Sequence, residues 1–268
     1  MSNVRVERHD HVAVVTLDRP PVNALDAATF AELGDTFDSF AHDRSVRAAV
    51  LAAAGERVFC AGVDLQDSPR RHRPDGRQED GGPQGDPADQ VDPGLVVRRC
   101  FWGIHDCAVP VIAAVEGAAI GAGVALVASC DLIVASERAT FALREINVGV
   151  LGGVKHAQRL LGPYLAKRMF LTGDTVPASE LHRVGAAEPI VAPGEAVAAA
   201  VTLAERIAAN SPIAVRLAKE SANRVEHLSL QDGYRLEQDY TTRVNRYADS
   251  TEARQAFLEK RDPQFGWE

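Results

Sequence analysis

Apolar and polar positions along this chain change period several times, and each change marks an element. "NVRVER" and "HVAVVTLD" carry the two-residue period of β-strands, with His9-Asp10-His11 at the turn between them. The period then lengthens. In "NALDAATFAELGDTFDSFAHD", Leu25, Phe30, Leu33, Phe37 and Phe40 share one helical stripe. "VRAAVLAAAG" reads as a buried strand leading into "ERVFCAGVDLQ", "LVVRRCFWGIHDC" as a helix, and "VPVIAAVEG" as a strand entering "EGAAIGAGVALVASCD". The strands "DLIVAS" and "ATFALRE" follow, then a helix through "VKHAQRLLGPYLAKRMFL", a short helix "ASELHRVG" and a strand "EPIVAP". Beyond Gly194 the pattern is helical, and Ser211-Pro212 supplies a cap followed by proline at the first helical position. Residues 1–193 thus read as a mixed α/β core and 194–268 as a helical C-terminal region.

One stretch breaks the pattern. Gln66 to Gly94 holds five prolines, five glycines and almost no large apolar side chains, so it cannot bury enough surface to pack. It is expected to be a mobile loop inside the domain, because regular patterning resumes directly after it. Its basic cluster, Arg70 to Arg73, lies among acids and reads as solvated.

Composition narrows the function classes. The net charge of −8 disfavours nucleic acid as a partner. The longest apolar run, Ala118 to Ala128, falls short of the roughly 20 residues a membrane helix needs, and no signal-peptide core opens the chain. Four cysteines (Cys60, Cys100, Cys107, Cys130) without a paired spacing suggest free thiols in a reducing cytoplasm, not disulfides or zinc. His9-x-His11 has no third ligand nearby, so no metal is expected.

The glycine run carries the first chemical signal. A dinucleotide fingerprint would need glycine at 126, which is Leu126. G-x-x-x-x-G-K-[ST], G-x-S-x-G and H-E-x-x-H are also absent. Small residues at Gly121, Ala122 and Gly123 still permit close approach to a helix N-terminus, whose unpaired N–H groups suit an oxygen developing negative charge. Tight helix–strand packing would use the same small residues. "FCAGVDL" is a second strand-to-turn passage of this kind, and two such turns could converge on one oxygen.

With these two segments the chain resembles the crotonase superfamily, the enoyl-CoA hydratase/isomerase family. The resemblance runs through "RPPVNALD", "VFCAGVDL", "PVIAAVEGAAIGAGVALVASCDLIVAS", "ATFALREINVGVLGG" and "AFLEKR", in order over most of the chain. It implies a spiral of ββα units with a helical C-terminal region, assembled as a homotrimer or dimer of trimers. It implies further that the backbone N–H groups of Val63 and Ala122 hold the thioester oxygen of an acyl-CoA as it becomes an enolate. Most relatives have glycine where Ala122 stands, and alanine keeps the N–H as long as φ need not be positive. The turn Ala61, Val63, Asp64 and Leu65 would line the adenine end of coenzyme A through backbone contacts. Phe257 and Lys260 would close over the adenosine from this or a neighbouring subunit. Without the resemblance Phe257 reads as core and Lys260 as a solvated helix face. Coenzyme A would enter as part of the substrate, with no bound cofactor.

Hydratases of this family generally use two glutamates. One matches Glu145 here and the other aligns with Ala125. Burial should raise the pKa of Glu145 toward the range useful for proton transfer, provided Arg144 turns outward. A single carboxylate suits isomerisation and also serves hydration; Asp67, in the loop that begins three residues after Val63, is the nearest alternative acid, with a solvated loop as its stronger reading. Two other outcomes stay open: another reaction of the superfamily on a bulkier acyl-CoA (hydrolase, lyase or decarboxylase), and a catalytically silent CoA-binding protein.

Overall fold

Strands β1 (Val4–His9) and β2 (Val12–Leu17) form the hairpin expected from the opening pattern, turning at Asp10 with φ 49°. The computed structural model describes residues 2–64, 92 and 94–268. Leu65, Asp67, Arg70 to Arg73 and nearly all of the expected mobile loop lie outside the described residues.

Three successive strand–strand–helix turns follow α1 (Ala27–Ser39). The first is β3 (Ala48–Ala53), β4 (Val58–Cys60) and α2 (Leu95–His105); the second is β5 (Val111–Val115), β6 (Ala118–Ile120) and α3 (Ala122–Ser129). The third is β7 (Leu132–Ser136), β8 (Thr140–Ala142) and α4 (Val154–Thr172). Each turn gives its first strand to a large sheet, ordered β1-β2-β3-β5-β7-β10, and its second to a small one. From β2 onward the large sheet is parallel, and β10 (Ile190–Val191) closes its far edge. The small sheet runs β4-β6-β8-β9, with β4, β6 and β8 parallel and β9 (Thr175–Pro177) antiparallel to β8. This is the ββα spiral that the resemblance implies.

The two-residue period sorts the large sheet's side chains between two cores. Val15, Leu51, Ala113 and Ile133 face the main core with Phe30, Phe37 and Phe40, where each buried aromatic contributes on the order of 1.5–3 kcal/mol. Val14, Val50, Ile112 and Val134 face the other way. That face is covered by α6 (Ala196–Ala208), whose buried residues are Ala196, Ala200, Ala204 and Ala208. A four-residue repeat of alanine makes a smooth stripe, which lets the helix lie close on the sheet. The first helix past Gly194 therefore packs on the core sheet.

Helix α4 departs from the single helix read in the sequence. Gly162 breaks it with φ 68° and ψ 175°, because Pro163 removes a donor and bars its predecessor from helical geometry. A short α5 (Ala178–Arg183) follows β9. Helix α7 (Pro212–Val225) starts as expected, with Ser211 Oγ accepting from the Ala214 N–H at 3.3 Å. Helices α8 (Leu230–Val244) and α9 (Ala248–Glu259) complete the C-terminal region. All four cysteines are free and buried, and burial pushes the Cys60 and Cys100 thiols up to about 12.

Candidate active site

Three parallel neighbours of the small sheet end beside one another, and each runs into a predicted site residue. Strand β4 leads to Val63, β6 to Ala122 and β8 to Glu145. Adjacent strands lie roughly 4.8 Å apart, so sheet geometry alone brings the three segments together.

After β4 the chain turns through Ala61, Gly62, Val63 and Asp64. The Ala61 N–H donates to Val22 O at 3.1 Å and the Asp64 N–H to Leu25 O at 2.8 Å. Gly62 O accepts from the Leu25 N–H at 2.8 Å, and the Gly62 N–H reaches Cys60 Sγ at 3.4 Å. Only the Val63 N–H of this turn has no acceptor among the described residues, and Val63 is 48% exposed. Gly62 holds φ +98°, a conformation that L side chains rarely adopt.

After β6, Gly121 carries the unusual backbone (φ 56°, ψ −114°) and donates to Ala142 O at 2.8 Å. Helix α3 then begins at Ala122, whose N–H, at a helix N-terminus, has no acceptor among the described residues. Ala122 is not among the residues with positive φ, so alanine costs nothing there. The glycine requirement falls on its neighbours. A Cβ on Gly123 would come within 2.6 Å of Cys60 O, which shows how closely the helix start rests on β4. A Cβ on Gly62 would lie 3.7 Å from the Ala122 nitrogen, so the turn bearing Val63 and the start of α3 are in contact.

Glu145 opens a short 3-10 turn (Glu145–Val148) after β8, closed by Val150 N–H to Glu145 O at 2.9 Å. Its carboxylate lies against Gly121, where a Cβ would collide with Oε1 and sit 3.0 Å from Cδ. Oε2 is buried without a hydrogen-bond partner among the described residues. Burial raises the pKa, outweighing a bond from the residue's own backbone N–H. Arg144 is exposed and donates to Thr175 Oγ1 at 3.1 Å, the outward arrangement expected for it. Just beyond, Val148, Val150 and Leu151 form an exposed apolar lip that the sequence reading missed. Ala125, where the resemblance implies a second glutamate in hydratases, is 2% exposed on a helix whose eight residues are all buried.

The remaining predicted residues divide. Ala61 belongs to the first turn, and Asp64 adjoins it with its carboxylate held by Arg19 Nη2 at 2.8 Å. Phe257 and Lys260 are not brought to this group. Helix α9 is anchored elsewhere, by Asp249 to Ser211 Oγ and to the Gly266 N–H of the tail. Phe257 is 83% exposed, which overturns its reading as core, and Lys260 is exposed at the left-handed end of α9. Sequence reasoning also missed Arg19 and Asn23. Both stand in "RPPVNALD", and Asn23 at φ 54° is a residue type that tolerates this backbone.

Comparisons with known proteins place the chain in a family. The family model described as enoyl-CoA hydratase/isomerase matches residues 7–268. A (7aS)-7a-methyl-1,5-dioxo-2,3,5,6,7,7a-hexahydro-1H-indene-carboxyl-CoA hydrolase of Mycobacterium tuberculosis is 36% identical, covering 93% of this chain and 95% of that one. A carnitinyl-CoA dehydratase of Proteus mirabilis is also 36% identical, covering 95% and 94%. The crystal structure of an enoyl-CoA hydratase from Bacillus anthracis superimposes over 100% of both chains, with a TM-score of 0.87 and 30% identity. The chain has the crotonase fold and belongs to the enoyl-CoA hydratase/isomerase family.

Proposed function

We propose that this protein acts on acyl-CoA thioesters, with the carbonyl oxygen held between the N–H groups of Val63 and Ala122 and with Glu145 as the single acid/base. The observation that carries the reading is the buried, unpartnered Oε2 of Glu145 beside the glycine turn that opens α3. A carboxylate kept from water and from hydrogen bonds takes up a proton readily. As it removes one from an acyl carbon, the carbonyl oxygen gains negative charge and the two N–H bonds strengthen. One such donor is worth about 10²–10³ in turnover.

Returning the same proton to a different carbon gives isomerisation. In hydration, Glu145 takes a proton from water as its oxygen adds to the β-carbon, then delivers a proton to the α-carbon. The family's hydratase and dehydratase members support this second outcome. A further reading, reaction on a bulkier acyl group, is favoured by the small Ala125 and by the relative named as a hydrolase of an indene-carboxyl-CoA. Coenzyme A contacts from the backbone of Ala61, Val63, Asp64 and Leu65 and from Phe257 and Lys260, assembly as a trimer or dimer of trimers, and a cytoplasmic location complete the proposal. The exposure of Phe257 and Leu258 supports a role for α9 at a neighbouring subunit. No helix among the described residues is long and apolar enough to cross a membrane.

Incubation with crotonyl-CoA and a panel of acyl-CoA thioesters in deuterated water, read by mass spectrometry, tests this. Deuterium incorporation or product is expected; neither, with binding intact, would make the protein a silent CoA binder.

A further inference from the structure

The turn that presents the Val63 N–H has no regular secondary structure to hold it. It hangs on residues 22–25 through the three backbone bonds described above. That supporting segment is itself irregular. Asn23 at φ 54° is fixed by its side chain, which donates to Ala54 O at 3.0 Å and Val58 O at 3.1 Å and accepts from the Arg19 N–H at 3.0 Å. What couples support and turn is Arg19. Its guanidinium donates to Ala24 O at 2.9 Å, pairs with Asp26 at 3.1 Å and reaches across to Asp64 at 2.8 Å.

Its side chain and that of Asp64 are 23% and 20% exposed, so the contacts are partly shielded from water. The planar fork of arginine satisfies the three directions at once, which the single ammonium of lysine cannot. The Val63 N–H belongs to the Gly62–Val63 peptide, which meets the Val63–Asp64 peptide at the Val63 Cα, so a shift of Asp64 is passed to that N–H through a single residue.

Resting on the reading of Val63 as an oxyanion donor, we infer that Arg19 is a positioning residue for the oxyanion hole, acting through Asp64. Loss of the clamp leaves the donor present but misdirected. Misplacement by about 1 Å is enough to cost on the order of 10²-fold in rate.

Butyryl-CoA with a ¹³C-labelled thioester carbonyl serves as the probe. Two quantities are read: the rate of α-deuterium exchange in deuterated water, and the carbonyl stretch of the bound molecule. In the wild type the stretch should shift to lower frequency. Arg19→Gln and the isosteric Asp64→Asn should each slow exchange by about 10- to 100-fold while changing butyryl-CoA affinity by less than about threefold. Both should lose much of the carbonyl shift. In the double variant their effects should fall short of the sum, because each single variant already removes the Arg19–Asp64 contact. Arg19→Lys should recover part of the exchange rate. Should Arg19→Gln fail to fold, Asp64→Asn carries the test alone.

If the variants are less stable yet keep exchange rate and carbonyl shift, Arg19 is only structural and the inference fails by itself. If the wild type binds butyryl-CoA with neither shift nor exchange, the oxyanion reading fails and takes this one with it.

Discussion

At Glu145 two requirements compete: the carboxylate must ionise to accept a proton, yet it sits where ionisation is penalised. Its folded pKa lies above the usual 4.5 because burial outweighs the bond from its own N–H. The protonated form is thus favoured by folding. That contribution is present below the unfolded value and is lost as pH rises through the raised folded value. Glu145→Gln, neutral at every pH, should therefore gain thermal stability relative to the wild type as pH rises from 4 to 7, measured by Tm across that range. Turnover in the same variant should fall by about 10²-fold or more, with acyl-CoA affinity little changed. The acid limb of kcat/KM in the wild type should lie above the ordinary carboxylate range. Glu145 entered through the resemblance of the segment around it; from the residues alone, an acid at the end of a strand reads as a surface side chain. Arg19 was not legible in the sequence. Its partner Asp64 is 45 positions away, and an ion pair between distant segments leaves no periodic trace in either.

Helix α3 shows where element-level reading succeeds and where it stops. Its glycine-rich start, following an apolar strand, was readable as a close approach of backbone. That the positive φ falls on Gly121 and not on Ala122 was not readable, since small residues permit both. The same limit applies to α6, whose alanine repeat is visible in the sequence but does not say which sheet face it covers. Because α3 is buried along its whole length, Ala125→Glu should be felt throughout the element. A carboxylate at this 2%-exposed position, one turn past Ala122, would be hard to ionise together with Glu145. We expect one of the pair to titrate high, the pH–rate profile to gain a limb, and Tm to drop more at pH 7 than at pH 5. Identical pH–rate profiles for variant and wild type would show that residue 125 does not share an environment with Glu145.

For the molecule as a whole, the strand periods marked the strands of the large sheet, the ββα arrangement came with the resemblance, and the short strands β6 and β9 and the fastening of the C-terminal helices were not foreseeable. Lys219, 8% exposed on α7, donates to Ile104 O and Val109 O and pairs with Asp131 at 2.8 Å. Asp131 accepts from the Val111 N–H at 2.7 Å as well. Lys219→Met would strip this junction of its cation and should cost about 3–5 kcal/mol in a urea titration, the scale for breaking a buried pair from one side. The three strand ends that meet in the small sheet have a different kind of consequence. The two proposed oxygen donors are peptide N–H groups, identical in nearly every amino acid, so selection has little grip on the letters that encode them. In a saturation library scored by turnover, position 63 would look permissive and position 122 open to other small residues. Gly62 and Gly121, by contrast, would look indispensable, being held at φ +98° and +56°. The genetic map of such a site would mark its frame and leave its working groups blank.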